Sequence, residues 1–129
     1  MTRYDAIVIG TGQAGPSLVR RLAAEGMKVA IIERGLVGGT CVNTGCTPTK
    51  TLVASAEAAY SAREAARFGI TIDGPITVDM KRVKARKDAV VERSRGGLET
   101  SLHRENCTLI RGHARFTGAH EIRVGDNVL

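Results

Sequence analysis

Tyr4-Asp5-Ala6-Ile7-Val8-Ile9-Gly10-Thr11-Gly12-Gln13-Ala14-Gly15 is the stretch on which the fold turns. Tyr4 to Ile9 is a short apolar run of strand-forming residues. Glycines follow at once at positions 10, 12 and 15, and a helical pattern then runs from Pro16 to Gly26. Strand, glycine loop and helix in that order are the context in which a GxGxxG spacing marks a dinucleotide-binding turn. Gly10 permits the tight turn, and Gly12 lets backbone N–H groups approach a pyrophosphate at the helix N-terminus. Gly15 lets the helix pack closely on the strand.

Working outward, Lys28-Val29-Ala30-Ile31-Ile32 is a second strand-like run ending in Glu33, 18 positions beyond Gly15. A carboxylate at about that distance is placed to accept a hydrogen bond from a ribose hydroxyl, and an acid there favours an unphosphorylated ribose, as in FAD or NAD. The plainer alternative is a tight turn whose glycines serve packing alone, with Glu33 a solvated residue at a strand end. Strand, helix and acid falling in one register argue for adenine-dinucleotide binding.

The next informative segment is Gly38-Gly39-Thr40-Cys41-Val42-Asn43-Thr44-Gly45-Cys46-Thr47-Pro48-Thr49-Lys50. On a regular helix, five residues separate Cys41 from Cys46 by about 7.5 Å along the axis. A disulfide needs Cα atoms within about 7 Å. A bond between them therefore calls for a distorted turn or an entry loop, for which Gly45 supplies the backbone freedom. Thr47-Pro48 reads as a helix start, continued by Leu52, Val53, Ala56, Ala59 and Tyr60. Two thiols at the positive end of a helix, with Lys50 one turn on, are in a setting that lowers thiol pKa and suits exchange. A structural disulfide, a zinc half-site and two buried free thiols are the competing readings. Metal sites usually show CxxC pairs with further Cys or His nearby, which this segment lacks.

GGTCVNTGCTPTK, downstream of GTGQAG and Glu33, closely resembles the active-site segment of the FAD-dependent pyridine nucleotide-disulfide oxidoreductases, class I, which include glutathione reductase, dihydrolipoyl dehydrogenase and mercuric reductase. Every fixed position of GGxCxxxxCxPxK is matched. Thr108-Leu109-Ile110-Arg111-Gly112-His113-Ala114-Arg115-Phe116 resembles the family's later strand and adenine-side turn, so the likeness covers nearly the whole chain. It implies that Cys41 is the interchange thiol that attacks a disulfide or holds a metal. It implies that Cys46 lies against the flavin, where its thiolate gives a charge-transfer complex, and that Lys50 stands near the reactive flavin nitrogen. Gly10, Gly12, Gln13, Ala14, Gly15, Glu33, Gly39, Thr40, Cys41 and Lys50 match positions around FAD, and Ala114 matches a backbone contact at the adenine end. The implied reaction begins with NAD(P)H reducing FAD. Electrons then pass through a Cys41–Cys46 disulfide to a small-molecule disulfide or Hg(II). The run CVNTGCTPTK inclines the reading slightly toward the mercuric reductase-like branch.

At 129 residues and 43% hydrophobic, the chain has enough material for one modest core. The family's enzymes are several times longer, with a second GxGxxG domain for the nicotinamide nucleotide and a dimerisation domain that supplies a His-Glu acid/base pair across a homodimer. The resemblance thus implies that residues 1–129 are the amino-terminal part of an FAD-binding domain, inactive as a reductase alone. A non-catalytic nucleotide-binding dithiol module and a gene remnant are the alternatives. Without a long apolar stretch or a signal-like start, and with thiols suited to a reducing compartment, the expectation is a cytoplasmic protein with no membrane partner.

Gly69 to Pro75 reads as a short strand and turn, and Ile76 to about Arg104 as a long helix with a kink at Gly96-Gly97. Seven Lys or Arg residues between Lys81 and Arg95 account for most of the net charge of +6. With 3% aromatic residues, none of them in that run, a solvated helix face is favoured over nucleic-acid binding. Cys107 opens an apolar strand as a buried thiol. His103, His113 and His120 suit no helical metal face, so no metal site is expected. Arg115 to Phe116 and Glu121 to Val124 flank a turn and read as a hairpin, and Gly125 to Leu129 reads as the middle of a strand. The fold expected is α/β, a Rossmann-like parallel sheet with flanking helices plus a small antiparallel β-hairpin.

Overall fold

A computed structural model describes residues 2–104 and 106–129. Strand β1 (Ala6–Ile9), helix α1 (Ala14–Ala24) and strand β2 (Val29–Glu33) form the opening unit. β1 pairs in parallel with β2, Ala6 opposite Val29 and Ile9 opposite Ile32. Strand β3 (Cys107–Arg111) joins the other side of β2, Val29 opposite Cys107 and Glu33 opposite Arg111. β2 is therefore central in the order β1-β2-β3. Its residues Val29 to Ile32 are at most 1% exposed, as an unbroken apolar strand covered on both faces must be.

The two faces are covered differently. Val29 and Ile31 pack with Val19 of α1, with Val37, and with Leu102 of the long helix α4 (Met80–Arg104). On the other face Ile32 meets Ile122, Val124 and Leu129. These belong to or adjoin an antiparallel sheet of β4 (Ala114–Gly118), β5 (Glu121–Val124) and β6 (Asn127–Val128). The expected hairpin is thus present, but with a third strand, and it forms the second covering layer where helices would otherwise lie. Strand alternation explains why: Ile122 and Val124 are buried while Arg123 between them is exposed, so one side of the hairpin is apolar and seats on the parallel sheet. Leu129 is tied in by reciprocal backbone bonds with Ile122 at 3.1 and 2.9 Å.

Between β2 and α4 the chain forms a five-residue helix α2 (Gly39–Asn43) and an 18-residue helix α3 (Cys46–Arg63). Pro48 lies in the first turn of α3, where its missing N–H costs nothing. Three expectations for the following segment are corrected. A single 3-10 turn at Ala65–Phe68 leads into an irregular stretch, and no strand forms at 69–75. A strand needs a ladder beside it, and Ile70 and Ile72 lie exposed instead. The long helix starts at Met80 rather than Ile76, because the Asp79 carboxylate accepts from the Lys81 and Arg82 amides at 2.9 and 3.1 Å and so caps the first turn. Asp79→Ala is expected to lower stability by about 1 kcal/mol, read from the urea midpoint. Helix α4 runs through Gly96-Gly97 unbroken. Each glycine disfavours helix by about 1 kcal/mol, but the helix is held on both sides of the pair, by buried Val91 before it and buried Leu102 after it.

The basic run lies on α4 largely engaged by protein partners. Lys84 pairs with Asp88 at 2.5 Å and Lys87 also contacts Asp88. Arg86 donates to the Thr51 carbonyl at 2.9 Å and Arg95 to Asn43 at 3.0 Å. Among the described residues no helix is long and apolar enough to cross a membrane.

Candidate nucleotide and dithiol site

The glycine loop leaves β1 at the C-terminal edge of the parallel sheet, with Gly10 N donating to the Ile32 carbonyl at 2.7 Å. Gly15 is buried, and a Cβ there would stand 2.2 Å from the Gly10 carbonyl oxygen. This position must be glycine for α1 to pack on the turn. A Cβ on Gly12 would meet nothing within 4 Å, so the turn presents open backbone there. Gln13, at the start of α1, makes no side-chain cap bond, and α1 has no acid in its first turn. Its first N–H groups are therefore free of side-chain capping and suited to an anion.

Glu33 closes the other side of the loop. Its Oε2 accepts from the Thr11 amide at 2.9 Å and the Thr11 hydroxyl at 2.5 Å, and its Oε1 accepts from the Gly35 amide at 2.8 Å. Burial pushes this carboxyl up. The hydrogen bonds from the Thr11 hydroxyl and the Gly35, Thr11 and Arg34 amides together outweigh that and hold it below the usual carboxylate range. A cavity of about 170 Å³ is lined by Ile9, Gly10, Ile32, Glu33, Arg34, Gly112, His113 and Ala114. The fold thus brings Gly10, Glu33 and Ala114 around one space. Gln13, Ala14 and Thr40 are exposed and do not line it.

The dithiol follows from a break between two helices. α2 ends at Asn43 and α3 begins at Cys46, with Thr44 and Gly45 outside both. The expected departure from regular helix is therefore present. A Cβ on Gly45 would be 3.0 Å from the Thr40 carbonyl oxygen and 3.4 Å from the Cys41 Cα. Only a residue without a side chain lets the start of α3 fold back this closely over Cys41, which brings the two thiols near enough for each to bear on the other's ionisation. Cys41 is half-buried and Cys46 exposed, both as free thiols. Lys50 lies one turn into α3, exposed.

The reduced pair corrects the expectation of a lowered thiol pKa at Cys41. The hydrogen bond with Cys46 pushes the Cys41 thiol up, and burial and the neighbouring sulfur's charge add to this. The Cys46 amide and the Lys50 ammonium pull the other way, and more weakly.

Sequence reasoning overlooked three residues that hold these parts together. Thr11 is fully buried, and its hydroxyl accepts from the Gly38 amide at 3.1 Å while donating to Glu33. Asn43, between the cysteines, donates through Nδ2 to the Val37 and Gly39 carbonyls at 2.9 Å each. Arg95 of α4 donates to its Oδ1. Thr11 occupies a variable position of the glycine fingerprint, and Arg95 is 52 residues from Asn43, so neither pairing had a local signal. The nucleotide loop and the dithiol segment also touch: a Cβ on Gly39 would come within 3.0 Å of the Gly12 Cα.

An open glycine turn with a carboxylate beside it thus abuts a segment that carries two free thiols. The profile of the pyridine nucleotide-disulphide oxidoreductases matches residues 4–128, and the chain belongs to that family. It is 41% identical over 124 residues to a dihydrolipoyl dehydrogenase of Thermus scotoductus, covering 96% of this chain and 26% of the relative. It is 35% identical over 117 residues to the dihydrolipoyl dehydrogenase of Bacillus subtilis, covering 91% and 24%. Among solved structures, the HOCl-induced flavoprotein disulfide reductase RclA from Escherichia coli superposes with a TM-score of 0.79 at 35% identity, over 98% of this chain and 26% of that one. The chain thus spans about a quarter of the length of these relatives.

Proposed function

We propose that the chain supplies the FAD cradle and the redox dithiol of a flavoprotein oxidoreductase that uses NAD(P)H and reduces a disulfide. The observation that carries this is the close approach of the open Gly10–Gly12 turn to Gly39, at the head of the segment bearing the two free thiols. The residues fit FAD. The uncapped start of α1 suits a pyrophosphate, the Glu33 carboxylate suits a ribose diol, and the cavity beside Ala114 suits the adenosine end. Gly39 adjoins Gly12, and Gln13, Ala14 and Thr40 are exposed beside these turns, open to such a ligand. When bound, the flavin supplies two-electron transfer between a nicotinamide and the dithiol.

The chain's own chemistry is thiol exchange. A thiolate of the pair attacks an external disulfide, one external thiolate leaves with the electron pair of the broken S–S bond, and a mixed disulfide forms. The second sulfur then attacks the protein-side sulfur, closing Cys41–Cys46 and releasing the other external thiol. Two protein thiols are oxidised as one external disulfide is reduced to two thiols. Lys50 stabilises negative charge on the pair. Cys41 takes the interchange role and Cys46 the position against the flavin. An external thiol–disulfide couple is the favoured reaction partner, since the relatives named above are dihydrolipoyl dehydrogenases, named for a dithiol, and a disulfide reductase. Hg(II) would engage the same two sulfurs. A homodimer, which the family resemblance implies for the complete enzyme, is part of the same proposal.

The test is optical. Purified chain mixed with FAD, freed of excess by gel filtration and then treated with dithiothreitol, is expected to stay yellow and to gain a long-wavelength absorbance shoulder when the dithiol is reduced. A colourless protein overturns the flavin reading for this chain. If its thiols still cycle, a cofactor-free dithiol module remains.

A further inference from the structure

Thr11 is the one fully buried polar side chain in the described core, and its three hydrogen bonds join its own turn to two other segments. Its own amide and hydroxyl sit in the glycine turn, its acceptor Glu33 ends β2, and its donor Gly38 opens the dithiol segment. Nothing in the backbone requires a hydroxyl at this position. A hydrophobic residue of the same shape would fill the space, so the hydroxyl answers to its partners.

We propose that Thr11 is a positioning residue that holds the Glu33 carboxylate for the ribose of FAD and pins the entry of the dithiol segment to the glycine turn. The proposal rests on the flavin reading above. Both Thr11 donors converge on Oε2, which fixes the plane of the carboxylate. Thr11 fills both acceptor positions of Oε2, which leaves Oε1, beside the Gly35 and Arg34 amides, as the oxygen a ribose hydroxyl would share. The same hydroxyl satisfies the buried Gly38 amide one residue before α2. Movement of the carboxylate is thereby linked to movement of the turn that carries Gly39 against Gly12. Arg34 and His113 line the cavity with Glu33 and are the charged and titratable side chains facing it there.

The decisive measurement is a double-substitution cycle on the 129-residue chain, with FAD affinity read by quenching of flavin fluorescence. Thr11→Val is expected to weaken binding by about tenfold to a hundredfold, the size of a lost hydrogen bond to a charged group. Thr11→Ser is expected to remain within about threefold of the original, since it keeps the hydroxyl. On a Glu33→Gln background Thr11→Val is expected to add almost nothing, because the residue through which it acts has already lost its charge. A carbon-detected NMR titration of Glu33 without cofactor supplies an independent reading: its midpoint should rise in Thr11→Val and stay low in Thr11→Ser. Equal losses on both backgrounds, or unchanged affinity in Thr11→Val, overturn the proposal and leave the flavin reading intact. Failure of the original chain to bind FAD overturns both. If Thr11→Val does not fold, Thr11→Ala takes its place, and if neither folds the residue serves the fold alone and the proposal is overturned.

Discussion

Gly15→Ala is expected to destabilise the chain by about 3 kcal/mol, the upper end of what overpacking a tight interior costs, with a melting temperature lower by about 10 °C. The added methyl would lie 2.2 Å from the Gly10 carbonyl oxygen and 3.3 Å from the Ile31 Cδ1. The oxygen is backbone, held by the turn, and cannot swing away as a side-chain tip would. Relief requires α1 to lift from β1 and β2, which breaks the packing of fully buried Val19 against Val29 and Ile31. The neighbouring Gly12→Ala is the control, since its methyl meets no atom within 4 Å. It should fold with nearly the original stability and lose FAD affinity, because the methyl stands where a pyrophosphate would approach the backbone. Urea denaturation and FAD titration of the two variants separate the roles. A Gly15→Ala chain as stable as the original would mean that the loop does not pack as described.

The contrast between those two glycines shows what could be read from the sequence. GxGxxG assigns each glycine a duty from spacing alone; the geometry at Gly15 agrees with its packing duty, and the backbone at Gly12 is open. Likewise the apolar run before Glu33 marked a strand, and the five-residue spacing of the cysteines called for a departure from regular helix near Gly45 if the two were to bond. What escaped was set by contacts distant in sequence. The continuity of α4 across Gly96-Gly97 depends on Val91 and Leu102 being anchored in the core. The second covering layer depends on Ile122 and Val124 meeting Ile32, some 90 residues earlier. The raised pKa of Cys41 depends on how closely Cys46 approaches it. The helix-end and Lys50 effects, which point the other way, were legible in sequence, and the opposing hydrogen bond was not.

Binding of FAD is expected to change which sulfur is reached from outside. In the chain without cofactor Cys46 is exposed and Cys41 half-buried, which is the reverse of the accessibility that their proposed roles require. If the flavin sits against Cys46, binding FAD must invert the order, covering Cys46 and leaving Cys41 as the thiol that meets substrate. Single-thiol chains test this, with Cys107, half-buried in β3, replaced throughout. Alkylation of the chain carrying only Cys46 is expected to slow on the order of tenfold when FAD is added, as burial removes an accessible thiolate. The chain carrying only Cys41, made by Cys46→Ala, should change little with FAD. Even without FAD it should react faster than Cys41 does in the intact pair at neutral pH. A raised pKa leaves less thiolate at a given pH, and Cys46→Ala removes the hydrogen bond that is the largest cause of the rise. With both thiols present, oxidised glutathione should drive the chain to the internal disulfide with less than ~1% held as a mixed disulfide, because well-oriented internal partners act at effective concentrations up to about 10⁵ M. In Cys46→Ala the mixed disulfide has no resolving sulfur and should accumulate to most of the protein, as mass spectrometry would show. Protection of Cys41 rather than Cys46 by FAD would exchange the two roles. A mixed disulfide that persists in the intact pair would show that the sulfurs do not meet.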